Sequence, residues 1–294
     1  MQQSALRLSA ESKGLKMENR PYIGITGFTD DFRLVKACSH FESLPYAWNV
    51  DRMLMVGVLI SRKTMEFNPS YAPYPERYPD VDTIGRLCNI AALDERALPI
   101  LHVCGLKQHD RESKDVLRDL VRIRLYGGAH CRGIQINGGL LSSWIIKNYR
   151  TCFPDDIIIQ QLPKRDVEDE EPISVARRFD GWADLINHVL IDASGGEGVL
   201  FDPFRAKALI IALSIRFPNL GIGIAGGLGP RTVGLLAPLL EQFPLLSFDA
   251  ESQLMCDDGL SLTSVRTYLT KAAELLKYKP NPDDACAYYV GKPD

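Results

Sequence analysis

At 294 residues, with 46% hydrophobic and 24% charged residues, the chain has the composition of an ordinary soluble protein, long enough for one barrel-sized domain or two small ones. A formal net charge of −3 gives no electrostatic reason to expect nucleic acid or an anionic membrane as partner, and no apolar run approaches the ~18 residues of a membrane span. Seven scattered cysteines without a CxxC pair argue against a disulfide framework or a zinc site and for reduced thiols in the cytoplasm.

Residues 1–20 are polar, mixed in charge and without the apolar core of a signal peptide, and are expected to form a loose tail. Apolar runs then follow at Tyr22–Thr26, Met53–Ile60, Ile100–Cys104, Gly133–Asn137, Ile157–Leu162, His188–Ala193, Gly221–Ala225 and Leu245–Asp249, which makes eight candidate strands. Helical spacing is clearest at Ser113–Leu125, Pro203–Arg216 and Arg231–Gln242, and again at Leu262–Leu276 after the last strand. Pro203 and Pro230 stand where a first helical turn tolerates proline. Strands alternating with helices in this way predict an α/β fold, a (β/α)8 TIM barrel forming one domain over residues 21–278, with an open doubly wound sheet as the alternative. Residues 279–294 are expected to be a C-terminal tail, packed on the barrel or free.

Two insertions depart from a minimal barrel. Glu66–Pro79, rich in proline and tyrosine, is either a lid over the site or an ordinary surface loop, and the acidic run Asp166–Glu171 is expected to be a solvated loop.

In a barrel, catalytic groups belong at the C-terminal ends of the strands. Asp192 closes strand six after Val-Leu-Ile, where a buried carboxyl is suited to donate or accept a proton. Asp249 closes strand eight, with Glu251 two residues on; it either shares acid and base roles with Asp192 or caps the following turn. Gly195 and Gly196, and then Gly226 and Gly227, can bring backbone N–H groups close to a phosphate, or simply make tight turns. His102 either reaches the mouth beside Cys104 as a base or packs in the core. Gly221-Ile-Gly-Ile-Ala-Gly226 matches GxGxxG but covers a strand instead of following one, so no dinucleotide cofactor is expected. The five histidines show no metal-ligand spacing, and no metal is expected.

Taken in order, several segments resemble the phosphoribosylanthranilate isomerases of tryptophan biosynthesis. Ile25-Thr-Gly-Phe-Thr29 resembles the family's Ile-Cys-Gly-Leu-Thr opening, and Gly133-Ile-Gln-Ile-Asn-Gly138 its Val-Gln-Leu-His-Gly strand. Leu190-Ile-Asp-Ala193, Gly195-Gly-Glu-Gly198 and Phe201-Asp202 are similar to Leu-Leu-Asp, Gly-Gly-Thr-Gly and Phe-Asp-Trp, and Ala225-Gly-Gly-Leu228 to the Ala-Gly-Gly-Leu turn. The resemblance implies a ribulose-phosphate-binding barrel, with Asp192 at the position of the general acid. The family's cysteine base is matched by Thr26, whose hydroxyl has far too high a pKa to act as a base unaided. Its histidine after strand four becomes Asn137, and an arginine becomes Lys63. At strand eight the chain offers Asp249-Ala-Glu-Ser-Gln253, where the family presents small residues to a phosphate.

Three functions are compatible with these residues. The first is a divergent enzyme doing acid–base chemistry on a ribose- or sugar-linked metabolite, with Asp192 and Asp249 as catalytic carboxyls and Thr26, Lys63, Gln135, Asn137, Gln160 and Glu251 holding the substrate. The second is a genuine phosphoribosylanthranilate isomerase with another group in place of the cysteine, either Asp249 or a water held by Thr26. The third is a barrel that binds a metabolite or protein without catalysis. The expected partner is a small molecule, phosphorylated or not, acting without a cofactor, and the sequence leaves the oligomeric state open.

Overall fold

A computed structural model describes residues 19–44, 51–67, 76–105, 114–163, 168–192 and 202–277. Eight parallel strands pair in chain order and close into a barrel: β1 (Tyr22–Thr26), β2 (Met53–Ser61), β3 (Ala97–Cys104), β4 (Gly133–Ile136), β5 (Ile157–Pro163), β6 (His188–Asp192), β7 (Gly221–Ala225) and β8 (Ser247–Ala250). Closure is made by β1 against β8, with Ile23 opposite Phe248 and Gly24 opposite Asp249. The chain is a (β/α)8 barrel, not an open sheet.

The helices of the outer layer are α1 (Asp31–Ser43), α2 (Arg62–Phe67), α3 (Val81–Ala91), α4 (Lys114–Tyr126), α5 (Ser143–Cys152), α6 (Pro172–Arg177), α7 (Pro203–Arg216), α8 (Ala237–Gln242) and α9 (Leu262–Lys277). Pro203 opens α7 in its first turn, and the Asp202 side chain caps it by accepting from Phe204 N at 2.8 Å. Arg231–Gln242 is not one helix. It is a 3₁₀ turn at Val233–Leu236 followed by the short α8, whose first turn holds Pro238, not Pro230. Pro238 has no N–H to give back to Gly234, so an α-ladder cannot run through it. β3 begins at Ala97, three residues before the expected start, and runs through Pro99, whose carbonyl accepts from Arg132 N at 2.9 Å. No helix among the described residues is long and apolar enough to cross a membrane. Of the expected tails, only Asn19 and Arg20 fall within the described residues.

Strand side chains alternate between two cores because successive Cβ atoms point to opposite faces. Tyr22, Met53, Met55, Leu98, Ile100, Ile157, Ile159 and Leu190 fill the barrel interior. The intervening set, such as Ile23, Val56, Leu101, Ile134, Ile158 and Ile191, joins the helices in the larger outer core. The interior is crowded at its N-terminal end, where the His188 ring meets Tyr22 edge-on at 5.3 Å. Only a glycine fits at 221 beside that ring, since a Cβ there would collide with it.

One buried ionic cluster ties α4 to α5. Arg124 makes two bonds to Asp156, at 2.7 and 3.0 Å, and spends its other donors on the carbonyls of Gly128 and Cys131. Tyr149 donates its hydroxyl to the same Asp156 carboxylate at 2.7 Å. Tyr149→Phe deletes one hydrogen bond to a buried charge while keeping the ring, so a loss of about 1.5–3 kcal/mol is expected in urea unfolding. A loss below half a kcal/mol would show that Arg124 alone satisfies the carboxylate.

Candidate active site

The inward parity that builds the interior core carries polar residues once it reaches the C-terminal rim. Thr26, His102, Gln135, Gln161, Asp192 and Asp249 continue the interior positions of β1, β3, β4, β5, β6 and β8. A cleft opens there, lined among the described residues by Arg77, His102, Gln135, Asn137, Gln161, Leu190, Asp192, Ala225, Gly226, Gly227, Leu228, Asp249, Ala250, Glu251 and Ser252. This is the end of the barrel at which catalytic groups are expected.

Asp249 is only 5% exposed, and Thr26 Oγ1 lies 3.2 and 3.3 Å from its two oxygens, donating to them. Two glycines make room for this pair. Gly24 stands opposite Asp249, and Gly57 opposite Thr26, in the strand register. A Cβ on Gly24 would run into the Asp249 carboxyl, and one on Gly57 into the Thr26 hydroxyl and backbone. Burial, and then the charge of Glu251, push the Asp249 carboxyl up to about 8; the Thr26 hydrogen bond opposes them and the charge of Asp192 adds to them. Near neutral pH this carboxyl is therefore largely protonated and able to exchange its proton.

On the opposite wall a chain of side chains runs across four strands. His102 Nε2 lies 3.3 Å from Gln135 Nε2, which donates to Gln161 Oε1 at 3.2 Å, and Gln161 Nε2 donates to Asp192 Oδ2 at 2.7 Å. Burial pushes His102 below the usual imidazole range, so the ring is neutral at pH 7. Burial likewise raises the Cys104 thiol to about 12, which leaves it a poor nucleophile. At the mouth Arg77 pairs with Glu251.

Asp192, Asp249, Glu251, Gln135, Asn137, Gly226 and Gly227 thus come together around one cleft, with Thr26 directly behind Asp249. Two expected substrate contacts are placed elsewhere. Lys63 is exposed on α2, outside the cleft lining. Gln160 has outward parity, and its amide bonds the carbonyls of Ile136, Gly139 and Gln161 in the outer layer. Its neighbour Gln161 faces the cleft instead, and the apolar run Ile157–Ile159, buried on both faces, carries no alternation that could have told the two apart. Gly195 and Gly196 lie outside the described residues, as does most of the expected lid. The last residues of that segment are described, and Arg77 among them lines the cleft. Gly226 and Gly227 take positive φ of 111° and 61°, which a side chain would resist, but the turn they make leads into the 3₁₀ segment and not directly into an α-helix. Among the described residues no group of three or more His, Cys, Asp or Glu is placed to hold a metal ion.

No family model matches the chain, and no curated protein does. Among solved structures the barrel is similar to N-(5'-phosphoribosyl)anthranilate isomerase from Pyrococcus furiosus, with a TM-score of 0.54 and 13% identity over 86% of this chain and 99% of that one. It is similar also to phosphoribosyl anthranilate isomerase from Thermococcus kodakaraensis, with a TM-score of 0.52 and 14% identity over 87% and 98%. A third similar structure is Mycobacterium tuberculosis tryptophan synthase, with a TM-score of 0.52 and 14% identity over 93% and 99%. At these identities the likeness establishes the fold alone.

Proposed function

We propose that the cleft is the active site of an acid–base enzyme acting on an uncharged, hydroxyl-rich small molecule, a ribose- or sugar-linked metabolite. The observation that carries this reading is Asp249: a buried carboxyl at a strand end, held by Thr26, with its pKa pushed up to about 8. A group poised near the working pH is what proton transfer needs. Asp192 supplies a second carboxyl of different environment, anchored by Gln161.

The charge balance of the lining supports an uncharged substrate. Among the described lining residues, Asp192, Glu251 and the largely protonated Asp249 face one guanidinium, Arg77, which already meets Glu251. A phosphate brought among them would gain little attraction and meet a like charge. Gln135, Asn137 and Gln161 instead offer amides suited to hydroxyl and carbonyl groups.

A second reading, phosphoribosylanthranilate isomerase activity itself, is favoured by one contact. The Thr26 hydroxyl occupies the position matched to the family's cysteine and touches Asp249, so a carboxyl stands directly behind the expected base. The experiment that separates the readings follows the fluorescence of phosphoribosylanthranilate generated in situ, beside an NMR screen of uncharged ribosylamines and glycosides for chemical conversion. Conversion within the uncharged panel, with phosphoribosylanthranilate untouched, supports the first reading. Isomerisation of phosphoribosylanthranilate establishes the second and overturns the argument from charge. Binding without conversion of either overturns both in favour of a non-catalytic barrel.

A further inference from the structure

The chain from Asp192 to His102 has a direction that the chemistry of its members imposes. An ionised carboxylate only accepts hydrogen bonds. Gln161 must therefore turn its NH₂ towards Asp192, at 2.7 Å, and its carbonyl towards Gln135. Gln135 must in turn offer its NH₂ to that carbonyl, at 3.2 Å, and the same nitrogen lies 3.3 Å from His102 Nε2. An amide N–H facing a ring nitrogen requires a lone pair there, which leaves the imidazole proton on Nδ1.

We infer that Gln135 and Gln161 form an amide relay through which the carboxylate of Asp192 sets the tautomer of His102, so that His102 presents Nδ1–H as a hydrogen-bond donor for an uncharged acceptor on the ligand. Its meaning for catalysis rests on the cleft being the active site; the relay itself does not. The relay makes both amides positioning residues, and each is nearly fully buried, with Gln135 1% and Gln161 3% exposed. His102, 4% exposed, lines the cleft, and its Nδ1 has no hydrogen-bond partner among the described residues; neither does Gln135 Oε1. A buried donor and a buried acceptor that both lack a partner among the described residues are costly unless something satisfies them. A ligand hydroxyl or carbonyl that displaces the neighbouring side chains enough to reach Nδ1 would satisfy the ring's donor. The Gln161 carbonyl, which favours a proton on the ring, pulls the other way, as do the charges of Glu251 and Asp192, while Arg77 opposes them. With Nδ1 unpartnered among the described residues, both contacts meet at Nε2: the Gln161 carbonyl would place a proton there, the Gln135 amide nitrogen at 3.3 Å would exclude one, and in the relay the amide prevails.

The test is the ¹⁵N spectrum of the imidazole rings in the whole protein, with the His102 signals assigned by their loss in His102→Gln. The relay predicts Nδ1 protonated and Nε2 bare in the wild type. Gln161→Met cuts the chain and is expected to turn His102 into a mixture of tautomers. Gln160→Met, one residue away but facing the outer layer, is expected to leave the ring signals unchanged. A wild-type ring protonated at Nε2 overturns the relay without any variant, and so does a Gln161→Met ring identical to the wild type. An intact tautomer pattern with no turnover in the substrate screen would count against the active-site reading and leave the relay standing.

Discussion

Asp249→Asn is expected to remove turnover and at the same time to make the protein more stable above neutral pH. Burial and the charge of Glu251 push the folded carboxyl up to about 8, whereas the same group in an unfolded chain titrates near ~3.9. Between those values the folded state keeps a proton that the unfolded state releases, so stability falls as pH rises from about 4 and the penalty is complete above about 8. An amide in the same place carries no such penalty, and it can still accept from Thr26. Unfolding in urea should therefore show the variant gaining a few kcal/mol over the wild type at pH 8 or above, and almost nothing at pH 4. Rate should move the other way, by about 10²–10⁴-fold, the usual contribution of a positioned acid or base. Parallel pH–stability curves for the two proteins would mean that Asp249 is ionised in the fold and would remove the main support for the proposed chemistry. A group that costs stability and gives activity is what selection for function, against stability, leaves behind.

Most of the barrel was legible because a parallel strand is buried on both faces and so reads as an uninterrupted apolar run. Met53–Ile60 and Gly221–Ala225 announce themselves in that way. The same property hides which face each residue occupies. Gln160 and Gln161 are chemically identical neighbours, and their opposite fates follow from pairing: Gln161 lies opposite Leu190 of the interior core, and Gln160 opposite Val189 of the outer one. That register is a property of the closed sheet, and no local pattern encodes it. The helix expected at Arg231–Gln242 failed for a local reason instead: its apolar spacing fits an α-helix, but Pro238 does not.

At the site, the carboxyls were legible because an acid at the end of an apolar strand is conspicuous. Their surroundings were not. Gly24 and Gly57 look like any strand glycines until Asp249 and Thr26 are seen to occupy the space that a Cβ would take. Arg77 belongs to a segment whose prolines and tyrosines give it no periodicity, and only the fold brings it to Glu251. Without that partner, Glu251 alone looks like an obstacle to any anionic ligand; with it, the charge of Glu251 is paired, and among the described lining residues the interior carboxyls set the character of the cleft.

Asp192→Asn is expected to lower kcat by about 10²–10⁴-fold while the fold and the midpoint of urea unfolding barely change. The structural cost is small because the new amide can turn its oxygen to Gln161, which now donates to a carboxylate at 2.7 Å. The charge is nevertheless gone, and the loss has a second consequence at Asp249. Asp192 is one of the charges that hold the Asp249 proton in place, after burial and Glu251. Removing it lets Asp249 ionise more easily, so the basic limb of the residual pH–rate profile should move to lower pH. The two readouts divide the alternatives: a barrel that only binds would keep its affinity for ligand and show no rate to lose. An enzyme in which Asp192 acts without Asp249 would lose rate with the limb unmoved. Only two carboxyls working on one substrate, close enough to feel each other's charge, lose rate and shift the limb together.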